Sequence, residues 1–135
     1  MAKVGIPKEI KDNEYRVAIT LAGVKSLVSD GHTVYIEKSA GIGSGMTDDE
    51  YKAAGAKILP DAASVFGESD LILKVKEPQA QEVPMLRKGQ LLFTYLHLAA
   101  MPKLAHDLAK TGATCVAYET VQLANGQLPL LTPMS

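Results

Sequence analysis

Short, β-rich apolar runs alternate with helix-forming stretches along almost the whole chain, and this alternation constrains the fold more than any other feature. Lys3 to Ile6 reads as a first strand, ended by Pro7. Thr20 can cap a helix that runs to about Asp30, with Gly31 just past its end. Thr33 to Glu37 reads as a second strand. Thr47-Asp48-Asp49-Glu50 has the form of a capping box, in which hydroxyl and carboxylate satisfy each other's orphan backbone donors, so a helix starts there and stops near Gly55. Lys57 to Leu59 is a short strand, and Asp61 opens a helix toward Phe66. Leu71 to Val75 reads as a buried strand, Gln79 to Arg87 as a helix despite Pro84, and Leu91 to Leu96 as the strongest strand. Pro102 suits the first turn of a helix ending at Gly112. Thr114 to Tyr118 is a further strand, Asn125-Gly126 a turn, and Leu128 to Leu131 a short extended piece. The pattern predicts one α/β domain, a parallel sheet flanked by helices on both faces.

Bulk properties exclude several function classes. Over 135 residues the net charge is −1 and the basic residues are scattered, which argues against nucleic acid or an anionic membrane as partner. No apolar run approaches the ~18 residues of a membrane span. The start of the chain does not resemble a signal peptide, and Cys115 is the only cysteine, so a cytoplasmic location is expected. The chain ends at Ser135, a residue type that caps helices, as if stopping where an element should begin.

Ligands of open α/β sheets bind beyond the carboxyl ends of the strands. The predicted strands deliver Arg16, Lys74, Lys76 and His97 to that edge, with Glu77 and Glu119 nearby. By the strand period of two, Lys74 and Lys76 share one face. An Arg grips a carboxylate with two parallel hydrogen bonds, a Lys binds a carbonyl oxygen or relays a proton, and a His titrates near working pH. Such a set suits a small oxo acid or amino acid. Strand-end cations are as often simply solvated, so spacing alone leaves both readings open.

Other residues favour plainer roles. Gly41-Ile42-Gly43-Ser44-Gly45 follows a strand, but Met46 stands where a G-x-G-x-x-G fingerprint needs glycine, so the segment reads as a loop leading into the Thr47 cap. His32 and His106 read as structural or solvated, and Cys115 as an inert core residue. No Cys/His set has metal-ligand spacing, and no G-x-S-x-G is present.

At its motifs the chain resembles a known family. Lys3-Val4-Gly5-Ile6-Pro7-Lys8-Glu9 followed by Asn13-Glu14-Tyr15-Arg16-Val17-Ala18 resembles the opening of the alanine dehydrogenase and transhydrogenase α-subunit superfamily. Leu73-Lys74-Val75-Lys76-Glu77-Pro78, Leu96-His97-Leu98-Ala99-Ala100, Ala117-Tyr118-Glu119-Thr120-Val121-Gln122 and Leu130-Leu131-Thr132-Pro133-Met134-Ser135 look specifically like alanine dehydrogenase. Leu21 departs from the pattern, since relatives usually have Pro there.

The resemblance implies a Rossmann-like or flavodoxin-like substrate domain and the reversible, NAD-dependent conversion of L-alanine to pyruvate and ammonia. By that resemblance Arg16 holds the substrate carboxylate and Lys76 the carbonyl or amine end. His97 polarises the carbonyl and assists proton transfer, and Ser135 lies near the nicotinamide cofactor. Lys74 is not carried over as catalytic and reads as a solvated flank or a distant positive charge; Glu119 is left unassigned. The dinucleotide loop and a catalytic aspartate belong to a second domain, absent from residues 1–135. C-terminal helices of relatives complete the cover of the first domain, so an apolar patch is expected where they would pack. A homo-oligomer, a hexamer in the family, is implied for the whole protein. The 135 residues alone should neither bind NADH tightly nor turn over alanine. The alternatives are a transhydrogenase α-subunit-like module and a stand-alone binding module for a small carboxylate.

Overall fold

The computed structural model describes residues 1–129. The expected alternation is present: β1 (Lys3–Ile6), α1 (Leu21–Ser29), β2 (Thr33–Glu37), α2 (Asp48–Ala54), β3 (Lys57–Leu59), α3 (Ala62–Glu68), β4 (Leu71–Leu73), β5 (Leu91–Thr94), α4 (Pro102–Thr111) and β6 (Thr114–Ala117). The caps read from sequence fix the helix starts. Thr20 accepts from the Gly23 amide at 3.0 Å, Asp61 accepts from the Ser64 amide at 2.8 Å, and the Thr47–Glu50 capping box is complete. Gly55 and Gly112 end α2 and α4 in the left-handed conformation that a Cβ would oppose.

The strands form one six-stranded parallel sheet in the order β3-β2-β1-β4-β5-β6. The order reverses between β1 and β4, so the loops leaving those two strands diverge and open a crevice between them. The core is divided by the sheet. On one face Val4, Ile6, Val34 and Ile36 pack with Val24 of α1 and Tyr51 of α2. On the other, Ile72 and Leu92 pack with Val65 and Phe66 of α3 and Leu104 and Leu108 of α4. Burying side chains of this size contributes ~1.5–3 kcal/mol each. Gly5 lets α3 approach, since a Cβ there would lie 2.1 Å from Ser69 Oγ.

Helices flank the sheet on both faces as expected, but the cover is uneven. Leu91 and Phe93 of β5 and Val116 of β6 lie on the face opposite Leu92 and belong to neither core cluster. Leu91 and Phe93 are half-buried and Val116 is 37% exposed. Together they form an apolar strip on that face.

Three elements differ from expectation. β4 ends at Leu73 rather than Val75, and β5 at Thr94 rather than Leu96, because side-chain carboxylates capture the amides that follow. Gln79 to Arg87 is no helix; it holds one 3-10 turn, Val83–Met85. Pro84 supplies no amide and its ring blocks the preceding turn, while the Gln79 amide is bonded by the Glu82 side chain instead. Leu128 is not in a strand, and residues 130 and 131 lie outside the described part, as does Ser135.

Candidate functional site

Arg16, Lys76 and His97 come from the loops after β1, β4 and β5, and all sit at the carboxyl edge of the sheet. The loop after β1 turns at Asn13, whose φ of 64° suits asparagine's tolerance of the left-handed region. It then places Glu14 and Arg16 in a fork-to-fork pair. Arg16 Nε donates to Glu14 Oε2 at 2.9 Å and Nη2 donates to Oε1 at 2.8 Å. The Arg16 hydrogen bond holds the Glu14 carboxyl below its usual range, and Glu14 in turn raises the guanidinium. Glu14 takes one edge of the guanidinium, while the side chain remains 52% exposed. A planar guanidinium has a second edge that can grip another carboxylate.

Lys76 extends over Tyr95, with Nζ 5.4 Å from the ring centre, and the Tyr95 and His97 rings lie 4.2 Å apart. After the Arg16 hydrogen bond, the charge of Lys76 also contributes, last among the causes, to lowering the Glu14 carboxyl. Tyr95 therefore links two of the sequence-chosen residues, a role that its place inside an apolar run did not reveal. His97 itself is in a left-handed conformation, φ 53°, uncommon for a non-glycine residue. Glu119 restrains it: its carboxylate accepts from the Leu96 amide at 3.0 Å and from the His97 amide at 3.2 Å. Beside His97 is a cleft of about 440 Å³ lined by Leu96, Leu98, Ala117 and Glu119, among others.

Lys74 is not a solvated flank. Its side chain is 1% exposed and bonded to Glu9 at 3.1 Å, with Glu82 Oε2 3.2 Å away. Regular strand geometry ends at Leu73, and Lys74 is buried against Glu9 while Lys76 lies over Tyr95. Tyr118 donates its hydroxyl to the Lys74 carbonyl at 2.6 Å, and its ring packs edge-on against Phe93. Glu77 is buried and pairs with Lys11. Burial pushes the Glu82 carboxyl up, against the pull of Lys74. Glu9 and Glu82 were missed at the level of sequence; each is recognised through partners distant along the chain or through burial.

The plainer readings agree with the structure. Ile42–Ser44 is a 3-10 turn closed by Gly45 in the left-handed conformation, and a Cβ on Gly43 would lie 2.6 Å from the Tyr15 carbonyl, so Gly43 serves close packing and Gly45 the turn before the Thr47 cap. His32 Nδ1 accepts from the Ala2 amide, and His106 is exposed on α4. Cys115 is half-buried on the edge strand rather than in the core, and burial raises its thiol. Among the described residues no group could hold a metal ion and no helix is long and apolar enough to cross a membrane.

The domain is doubly wound and parallel, and Arg16, Lys76 and His97 lie at its carboxyl edge, where ligands of such sheets bind. Residues 5–135 match the family model described as "Alanine dehydrogenase/PNT, N-terminal domain", and the chain belongs to that family. It is 59% identical over 132 residues to alanine dehydrogenase of Methanococcus maripaludis, covering 98% of this chain and 35% of the relative. It is 56% identical over 133 residues to alanine dehydrogenase of Mycobacterium tuberculosis, covering 98% of this chain and 36% of the relative. A solved L-alanine dehydrogenase superposes with a TM-score of 0.95 at 50% identity, over 98% of this chain and 36% of that one. A transhydrogenase from Sinorhizobium meliloti superposes at 0.84 with 35% identity, over 91% of this chain and 37% of that one. The chain thus spans about a third of the length of these relatives.

Proposed function

We propose that this chain is the N-terminal, substrate-binding part of an NAD-dependent alanine dehydrogenase, catalysing the reversible oxidative deamination of L-alanine to pyruvate and ammonia. The observation that carries the proposal is the meeting of Arg16, Lys76 and His97 at one edge, with Lys76 and His97 both against Tyr95. Arg16 binds the substrate carboxylate through the guanidinium edge that Glu14 leaves free. Lys76 holds the reacting carbonyl or amine. His97 polarises the carbonyl and moves the proton. Residues 1–135 constitute an incomplete domain in this reading. The described residues do not fit the dinucleotide: in the glycine cluster Gly41 and Gly43 are taken up by close packing and Gly45 by a left-handed turn. NAD contacts other than that of Ser135 are assigned to a further domain. A cytoplasmic, homo-oligomeric protein is consistent with this reading.

The test uses a full-length protein containing this sequence, assayed for NAD reduction with L-alanine. Arg16→Lys keeps the charge and loses the fork. The KM for alanine should rise by about tenfold or more while NADH affinity stays unchanged, the scale of a lost charge-assisted bond. A wild-type KM for alanine would remove Arg16 from the site. No alanine-dependent reduction by the unmodified protein would overturn the assignment and favour the transhydrogenase-like module.

A further inference from the structure

Glu9 lies just past β1, yet its carboxylate crosses the crevice to the chain leaving β4. Its side chain is 2% exposed. Oε2 accepts from the Val75 amide at 3.0 Å, and Oε1 accepts from the Lys76 amide at 3.0 Å and from Lys74 Nζ at 3.1 Å. A buried carboxylate costs several kcal/mol in lost hydration, and well-packed apolar residues are often as stabilising as a buried ion pair. What an apolar residue could not do is accept these consecutive amides. With these amides held by Glu9, regular β4 ends at Leu73 although the Lys74 amide still donates to the Phe93 carbonyl, and Lys76 comes to lie over Tyr95. Lys74 Nζ lies 3.1 Å from Glu9 Oε1 and 3.2 Å from Glu82 Oε2.

We propose that Glu9 is a positioning residue for Lys76, acting through the Val75 and Lys76 amides, with Lys74 as its buried counter-ion. The proposal rests on the role given to Lys76 under the function above, and the experiment separates the two. In a full-length protein containing this sequence, kcat/KM for alanine and KM for NAD are measured for Glu9→Gln, Lys76→Ala and the double variant. Gln keeps the size but replaces one acceptor oxygen with a donor, so one amide loses its partner. Glu9→Gln should lower kcat/KM for alanine by about tenfold, the scale of one lost hydrogen bond to a charged group, with the KM for NAD unchanged. In the Lys76→Ala background the same change should have almost no effect, because residues acting as a unit do not add. An equal loss in both backgrounds would show a general structural role and overturn the proposal. Full activity of Lys76→Ala would instead overturn the role of Lys76 itself.

Hydrogen exchange on the unmodified protein, resolved to single amides by mass spectrometry, needs no variant to fold. The Val75 and Lys76 amides should be protected although β4 has ended. Exchange at the rate of open loop amides would show that the clamp does not form, whatever the kinetics. If Glu9→Gln does not fold, Glu9→Asp is read the same way: it keeps the charge opposite Lys74 but falls a methylene short of the amides.

Discussion

Glu119→Ala tests how much of the site is held by a carboxylate acting on backbone. In the structure Glu119 Oε1 and Oε2 lie 3.0 and 3.3 Å from the Leu96 amide, and Oε1 lies 3.2 Å from the His97 amide. Leu96 is 1% exposed, so alanine at 119 leaves its N–H without a partner in a place that water reaches poorly. That loss should lower stability by about 1–3 kcal/mol. His97 adds a second effect. Its φ of 53° and ψ of 38° cost a non-glycine residue roughly 1–2 kcal/mol relative to ordinary backbone. With the restraint gone, a bias of about 1.4 kcal/mol would leave near a tenth of the molecules with His97 correctly aimed, and kcat/KM for alanine should fall about tenfold. Glu119→Gln keeps one acceptor oxygen and should recover part of both losses. Urea unfolding of the variants reads the first effect, and steady-state kinetics in a full-length protein read the second. Glu119→Ala with unchanged unfolding midpoint and unchanged kcat/KM would refute the reasoning.

Packing and pH give two further expectations. Gly5→Ala places a Cβ 2.1 Å from Ser69 Oγ and 2.9 Å from Val65 Cγ1, where Ser69 is fully buried, so α3 must shift; a loss of about 1–3 kcal/mol is expected in urea unfolding, and an unchanged midpoint would show that the helix does not seat on β1. Burial pushes the Tyr51 and Tyr118 hydroxyls from 10.0 to about 12. Because their folded values lie above the unfolded ones, the stability they contribute is complete below about pH 10 and is lost as pH rises through about 12. The urea midpoint should therefore fall across that window, and fall less in Tyr51→Phe and Tyr118→Phe; identical slopes in wild type and variants would refute the assignment.

Elements governed by neighbours in sequence were legible in it. Thr20, Thr47 and Asp61 each bond an amide three residues on, and each helix begins where its cap says. Gly55 and Gly112 end helices for a reason carried by the glycine alone. The edge that collects Arg16, Lys76 and His97 followed from strand ends and the parallel rule. Besides the Gln79 to Arg87 helix, which Pro84 opposes, what failed was the length of β4 and β5 and the placement of Lys74. Those depend on Glu9, which bonds residues 65 to 67 positions away, and on Glu119, which bonds residues 22 and 23 positions away. Apolar periodicity has no term for a carboxylate arriving from another loop.

The same contrast orders the site itself. Each group assigned to the substrate is associated with a glutamate: Glu14 for the Arg16 guanidinium, Glu9 for the Lys76 amide and Glu119 for the His97 amide. Only the first could be seen in the sequence, because Glu14 and Arg16 are two residues apart. The three bonds also differ in consequence. Glu14 touches the side chain that would bind, so it competes for donors and leaves one guanidinium edge. Glu9 and Glu119 touch backbone, so they leave the Lys76 and His97 side chains with all their hydrogen-bonding capacity for a ligand. A carboxylate that bonded Lys76 Nζ directly would occupy the donor that the reacting carbonyl is proposed to use. Gripping the amide instead fixes the direction of the side chain while leaving its charge unpaired by that glutamate, and Lys74 supplies the positive partner that the buried Glu9 carboxylate requires.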